Sequence, residues 1–101
     1  MVAFLVAWIV AGELHVHSVA AHPDRRRAGV ASALVAHALA EARIAGCTLA
    51  TLEVRRGNVP AIALYERAGF RIVNTRAGYY QDNQEDALVM VCELEITESS
   101  R

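Results

Sequence analysis

An α/β domain, with a mixed antiparallel and parallel sheet flanked by two helices, is the fold the sequence predicts. Three observations carry it. Apolar residues alternate between strand-like and helix-like spacing along the chain. The first two strand-like runs are nearly contiguous, so they pair antiparallel. A long helix-like segment then separates the second run from the third, and such a connection implies a parallel crossover.

The elements follow in order. "MVAFLVAWIVAG" supplies a first strand at about residues 2 to 11, and its Val, Phe, Ile and Trp suit a strand buried on both faces. The run is too short to cross a bilayer as a helix and no basic segment precedes it, so neither an anchor nor a secretory signal is expected. Ala11-Gly12 ends it, and "ELHVHSVAA" is the second strand, running to His22-Pro23. "PDRRRAGVA" leads into a helix at about residues 29 to 45. There Val30, Leu34, Ala38, Leu39 and Ala42 recur at helical spacing, with His37, Glu41 and Arg43 on the wet side. Gly46 caps its C-terminus. "TLATLEVR" is the third strand. Asn58 N-caps a second helix that tolerates Pro60 in its first turn and closes at Gly69. "FRIVNT" and "DALVMVCELEI" are strands around a polar turn, in which Glu85-Asp86 reads as solvated, and "TESSR" is a frayed tail.

Composition bounds the function. A chain of 101 residues is one domain, here spanning 1–101, with 54% apolar and 21% charged residues, so it is globular rather than disordered. A formal net charge of -1 lacks the basic excess that nucleic-acid or membrane-surface binding needs. Cys47 and Cys92 form no C-x-x-C pair and read as reduced thiols of a cytoplasmic protein.

The entry to the first helix is the first stretch with chemistry in it. Arg26-x-x-Gly29-x-Ala31 sits where a strand gives way to a helix. Small residues there let a ligand approach the backbone, and the first helical N–H groups point outward unsatisfied. With the helix dipole, that end suits a pyrophosphate, and Arg25, Arg26 and Arg27 add charged donors. Read alone, the pattern is weak, and a solvated basic helix entry is the simpler reading of it. It is neither the dinucleotide fingerprint nor a P-loop.

Three strings together are more specific. "VAAHPDRRRAGVASALVAHAL", "LEVRRGNVPAIALYERAGF" and "YYQDNQEDALVM", in this order over roughly residues 13 to 94, resemble the GNAT N-acetyltransferase superfamily. Within it the chain is most similar to the bacterial RimI family, which acetylates the N-terminal alanine of ribosomal protein S18. The resemblance implies acetyl-CoA as cosubstrate, with Arg26, Gly29 and Ala31 matching the family's cofactor pattern. It implies that Val19, Ala20 and Ala21 meet the pantetheine and acetyl group through the backbone. It further implies that Arg27, Ala28, Gly29, Val30, Ala31 and Ser32 cradle the pyrophosphate, and that Asn58 contacts the cofactor. Glu53 aligns with the family's general base and Tyr65 with its general acid. Ala21-His22-Pro23 departs mildly from the family's usual Val-Asp-Pro.

The residues bear such roles on their own terms. By strand alternation Glu53 shares a face with Leu49 and Thr51. In a sheet covered on both faces it must pair with Arg55, also on that face, or border a wet cavity. Acetyl transfer to an α-amino group of ordinary pKa ~8 needs only a modest base, which a carboxylate acting through water can be. A strand-end N–H would stabilise the oxyanion. The departing thiolate then needs a proton, which the Tyr65 phenol can give. Tyr65 lies on the inner helix face with Ala61, Ile62 and Ala68, where an ordinary core tyrosine is the alternative.

Other candidates are weaker. His15 and His17 share a strand face as a metal pair would, but a third ligand is not evident, so no metal is expected and His17 is read as flanking the acceptor cleft. Tyr79 and Tyr80 are either a hairpin's aromatic pair or part of the acceptor groove, and the resemblance favours the groove. It also implies that the chain is N-terminally shortened, without the strand-helix-helix-strand with which family members usually begin. Apolar surface so exposed would favour a homodimer. Two function classes follow: an N-terminal peptide acetyltransferase, or a non-catalytic CoA-binding or dimerising module.

Overall fold

The computed structural model describes residues 3–21 and 28–94. Along the chain run β1 (Ala3–Val10), β2 (Glu13–Ala21), α1 (Ala28–Ile44), β3 (Leu49–Arg55), α2 (Val59–Arg67), β4 (Arg71–Arg76) and β5 (Ala87–Glu93). The strands form one mixed sheet in the order β1-β2-β3-β5-β4. β2 and β3 are parallel neighbours, joined by the α1 crossover, and the other pairs are antiparallel. The predicted fold class and all seven elements are present, with ends shifted by a residue or two except at β5, which stops at Glu93.

Local chemistry sets the ends. Ala11 and Gly12 both have positive φ, 52° and 81°, as a two-residue type I′ hairpin turn requires. That turn sets the β1–β2 register, placing Val10 opposite Glu13 and Trp8 opposite His15. Gly46, at φ 88°, lets the chain leave α1, and the Cys47 N–H returns to the Ala42 carbonyl at 2.9 Å. Asn58 caps α2, its Oδ1 accepting from the Ala61 N–H at 3.4 Å.

Both helices pack on the same face of the sheet. Leu14 and Val16 of β2, Ala50, Leu52 and Val54 of β3, and Leu88, Met90 and Cys92 of β5 meet Ala31, Val35, Leu39 and Ala42 of α1 and Leu64 and Tyr65 of α2. The buried line of α1 is thus rotated from the expected one: Val30, Leu34 and Ala38 are half-buried at its border. Strand alternation sends the intervening residues, His15, His17, Thr51, Glu53 and Arg55, to the opposite face. That face carries no helix among the described residues, so the expectation of a sheet covered on both sides fails.

β1 departs from expectation for the same reason. Leu5 and Ala7 pack toward the core, but Val6, Trp8 and Val10 on the other face are 40%, 49% and 52% exposed. A strand rich in Val, Ile and Trp can form because those residues suit a pleated surface, whether or not both faces are covered.

One consequence is testable. Alanine is a poor occupant of the left-handed region, whereas Asn-Gly is a favoured type I′ pair. Ala11→Asn is therefore expected to raise unfolding stability by roughly 0.5–1 kcal/mol, read as a higher urea midpoint with an unchanged slope.

Candidate active site

The sheet opens where its parallel strands part. β2 and β3 pair from Glu13 opposite Leu49 to Val16 opposite Leu52 and no further. β2 runs on to Ala21 beside β1, and β3 runs on to Arg55 beside β5. The parting coincides with an irregularity in β2. Ala7 lies opposite Val16 and Val6 opposite Ser18, so His17 is an extra residue without a partner on β1. Such a bulge bends a strand and raises its twist. Past it, the β3-facing edge of β2 has no strand partner among the described residues, and its backbone groups are left for something else to satisfy.

Glu53 is the first residue of β3 beyond the last paired position. A cavity of about 330 Å³ on the open face is lined by Trp8, His15, His17, Thr51, Glu53 and Arg76, and also by Val16 and Leu52. Val16 and Leu52 are the last paired positions of β2 and β3, so the cavity lies over the point at which the two strands part. An adjoining cavity of about 290 Å³ is lined by Val16, His17, Glu53, Tyr79 and Tyr80. The His17 ring stacks on Trp8 with centroids 5.0 Å apart, and Tyr79 meets Tyr80 edge-on at 5.1 Å.

Glu53 does not pair with Arg55. Its Oε1 accepts from the Tyr79 hydroxyl at 2.9 Å, and its Oε2 lies 3.5 Å from Arg76 Nε. Two further lone-pair positions remain for a water or an amine. That hydrogen bond first, and the carboxylate charge second, hold the Tyr79 phenol above its ordinary pKa.

Arg55 turns instead to the loop between β4 and β5. Its guanidinium donates to Asp82 at 3.1 and 3.2 Å, to Asn83 at 3.3 Å and to Glu85 at 3.3 Å, and its face lies 4.0 Å from the Tyr80 ring centre. Glu85 and Asp86 are therefore not a solvated turn. Glu85 also accepts from the Gly57 N–H at 2.7 Å, and Asp86 takes the Arg56 guanidinium at 2.9 Å and the Gly78 N–H at 3.0 Å. Among these sequence-adjacent charges, only the nonlocal approach of the two loops decides which pair.

Tyr65 lies on the other side of the sheet. Its ring is 7% exposed and meets Phe70 edge-on at 5.8 Å. Burial, and secondarily the nearby Tyr80 phenol, raise its pKa, and no hydrogen bond to a described residue opposes this.

The remaining expected residues divide. Val19, Ala20 and Ala21 lie on the part of β2 beyond the parting. Ala28, Gly29, Val30, Ala31 and Ser32 form the first turns of α1, which carry no acidic residue. An added Cβ at Gly29 would meet nothing within 4 Å. Arg25, Arg26 and Arg27 lie outside the described residues. Asn58 sits at the N-terminus of α2, directly after the Arg55-to-Gly57 anchor. His15 lies 3.3 Å from Glu13, and among the described residues no three His, Cys, Asp or Glu side chains converge as metal ligands. Cys47 and Cys92 are free and buried, and among the described residues no helix is long and apolar enough to cross a membrane. Trp8, Arg76 and Gly57 were not anticipated. The hairpin register alone would have placed Trp8 beside the histidines, whereas Arg76 and Gly57 gain meaning only across the sheet.

The acetyltransferase (GNAT) family profile matches residues 1–70. Over 92 residues the chain is 39% identical to the [ribosomal protein bS18]-alanine N-acetyltransferase of Escherichia coli K12, covering 89% of this chain and 62% of that one. It is 40% identical over 77 residues to an N-alpha-acetyltransferase of Saccharolobus solfataricus, covering 75% and 46%. The crystal structure of the ribosomal-protein-S18-alanine N-acetyltransferase from Escherichia coli superposes with TM-score 0.85 at 35% identity, over 100% of this chain and 66% of that one. The chain thus spans less than two thirds of the length of the curated relatives it matches.

The loop anchors predict an acid response. Asp82 is held below its ordinary pKa chiefly by its hydrogen bond from Arg55, Glu85 by the Gly57 N–H, and Asp86 by the Gly78 N–H and then by Arg56. A depressed folded-state value means that the unfolded chain takes up protons first. The stabilisation is complete above the unfolded carboxylate value of about 4 and is lost as pH falls through the lower folded-state values. Glu85→Gln is expected to be less stable than the parent at neutral pH, with the gap closing in acid, as followed by urea unfolding across pH.

Proposed function

The chain belongs to the acetyltransferase (GNAT) family, and from that premise we propose that it transfers the acetyl group of acetyl-CoA to a protein N-terminal α-amino group. The N-terminal alanine of ribosomal protein S18 is the acceptor that the names of its relatives supply. The observation that carries the reading is the position of Glu53, at the mouth of the gap between β2 and β3, with the Tyr65 phenol buried on the far side.

Acetyl-CoA binding uses what the strands leave open. Pantetheine amides fit the free edge of β2 at Val19, Ala20 and Ala21 as an added strand would, through main-chain hydrogen bonds. The pyrophosphate suits the N–H groups that open α1 at Ala28 to Ala31, where the helix dipole favours an anion and no acidic side chain opposes it. Arg26, Arg27 and Ser32 would add donors, and Asn58 would meet the cofactor from the start of α2.

The acceptor enters from the open face, between His17, Tyr79 and Tyr80. Glu53 removes a proton from the ammonium, directly or through one water. The free amine attacks the thioester carbonyl, and a β2 backbone N–H supports the oxyanion. As the C–S bond breaks, the thiolate takes its proton from the Tyr65 hydroxyl, and the second proton, shed by the nitrogen as it becomes an amide, passes through solvent to restore the phenol. A phenol is protonated at neutral pH, the state a general acid needs, and burial shifts it further in that direction.

Three variants test this. Glu53→Gln is expected to keep acetyl-CoA binding and lose ~100- to 10,000-fold in turnover of an alanine-starting peptide, with partial recovery at high pH. Tyr65→Phe should lower kcat while keeping the ring packing. Gly29→Val, whose side chain meets open space in the free protein, should abolish the rise in melting temperature that acetyl-CoA gives the parent. Parental turnover by Glu53→Gln, or no acetyl-CoA shift in the parent, would contradict the reading.

A further inference from the structure

We propose that Arg55, Arg56 and Gly57 are positioning residues for Tyr79, holding the β4–β5 loop so that its hydroxyl stays on Glu53. For activity, the inference rests on the reading of Glu53 as the base.

The tethers converge on the two neighbours of Tyr79. On one side, the Gly78 N–H donates to Asp86 at 3.0 Å; the other oxygen of Asp86 takes the Arg56 guanidinium at 2.9 Å, and the Asp86 carbonyl takes the Arg56 N–H at 3.0 Å. On the other side, the Tyr80 N–H donates to the Glu85 carbonyl at 3.1 Å. The Glu85 carboxylate in turn binds the Arg55 guanidinium at 3.3 Å and the Gly57 N–H at 2.7 Å, and the Tyr80 ring lies under Arg55. The backbone of Tyr79 is thus fixed at both ends by one turn of chain, the turn that directly follows the strand carrying Glu53. The loop tip from Gln81 to Gln84 is exposed, and Tyr79 itself is 42% exposed. Charged tethers, rather than core packing, hold this phenol in place.

Gly57 is the keystone of the arrangement. Its φ is not in the left-handed region, so the backbone conformation there does not call for glycine. A Cβ at that position would stand 2.7 Å from Glu85 Oε2. Alanine would push the carboxylate off the N–H it accepts from, without changing any charge. A base whose rotamer is set by a hydrogen bond needs the donor fixed, and small misplacements of catalytic groups lower rates steeply.

The test reads the phenol directly. The protein has three tyrosines, so uniform [13Cζ]-tyrosine labelling gives three signals, with that of Tyr79 identified by its loss in Tyr79→Phe. The groups facing the Tyr79 hydroxyl are Glu53 of β3, Arg76 of β4, His17 of β2 and Tyr80 of its own loop. In Gly57→Ala and in Glu85→Gln the Tyr79 signal is expected to titrate at lower pH, toward that of an ordinary phenol, while that of Tyr65 stays put. The glutamine variant decides the matter should the alanine variant not fold. In acetyl transfer, Gly57→Ala is expected to lose about tenfold in kcat with the KM for acetyl-CoA unchanged, and to lose nothing more when combined with Tyr79→Phe. A Tyr79 titration unmoved in every folded variant overturns the proposal, as does a double variant in which the two losses multiply. Moved titrations in a protein whose parent transfers no acetyl group would support the tether and contradict the catalytic reading instead.

Discussion

The parting of β2 from β3 after Val16 and Leu52 is the constraint on which the rest of the site depends. Two parallel neighbours normally saturate each other's backbone groups along their whole length. Here the extra residue at His17 bends β2, and among the described residues a strand edge is left open in the middle of a sheet rather than at its border. Its neighbours then take their roles from position. Glu53 is the first β3 side chain past the junction on the open face, and Tyr65 is buried on the helix face.

Electrostatics assigns different work to adjacent residues of one strand and turn. Glu53 and Arg55 point to the same face, yet they do not meet. Glu53 takes Tyr79 and Arg76, while Arg55 is committed to Asp82 and Glu85. Had Arg55 paired with Glu53, the carboxylate would have been a structural ion pair and the β4–β5 loop would have lost its principal tether. These pairs are largely exposed, and individually such pairs contribute little to stability. Their joint effect is geometric.

Much of the architecture was legible because it is written in local signals. Period changes, the Ala11-Gly12 turn, the Asn58 cap and Gly46 mark the seven elements, and the helix between two strands announces the parallel pair. The site was legible only in part. Tyr65 falls on the inner face as helical spacing requires, and His17, Glu53, Tyr79 and Tyr80 come together around one cavity. The coverage of β1 was misjudged because Val, Ile and Trp report strand propensity rather than what lies above the strand. The partners of Arg55, and the roles of Glu85, Asp86 and Gly57, depend on two loops distant in sequence meeting at the end of the sheet. No spacing within either loop encodes that meeting.

The central claim, that the gap between β2 and β3 brings acetyl thioester and amine together at Glu53, is tested most directly by a crystal structure with a peptide–CoA conjugate whose peptide begins with alanine. The account predicts the pantetheine arm along the free edge of β2, the pyrophosphate on the first turn of α1, and the peptide on the open face between His17 and Tyr79. The linked nitrogen should lie within hydrogen-bond reach of Glu53, directly or through one water. A conjugate that binds with its sulfur away from the gap, or with its nitrogen out of reach of Glu53 both directly and through one water, would contradict it.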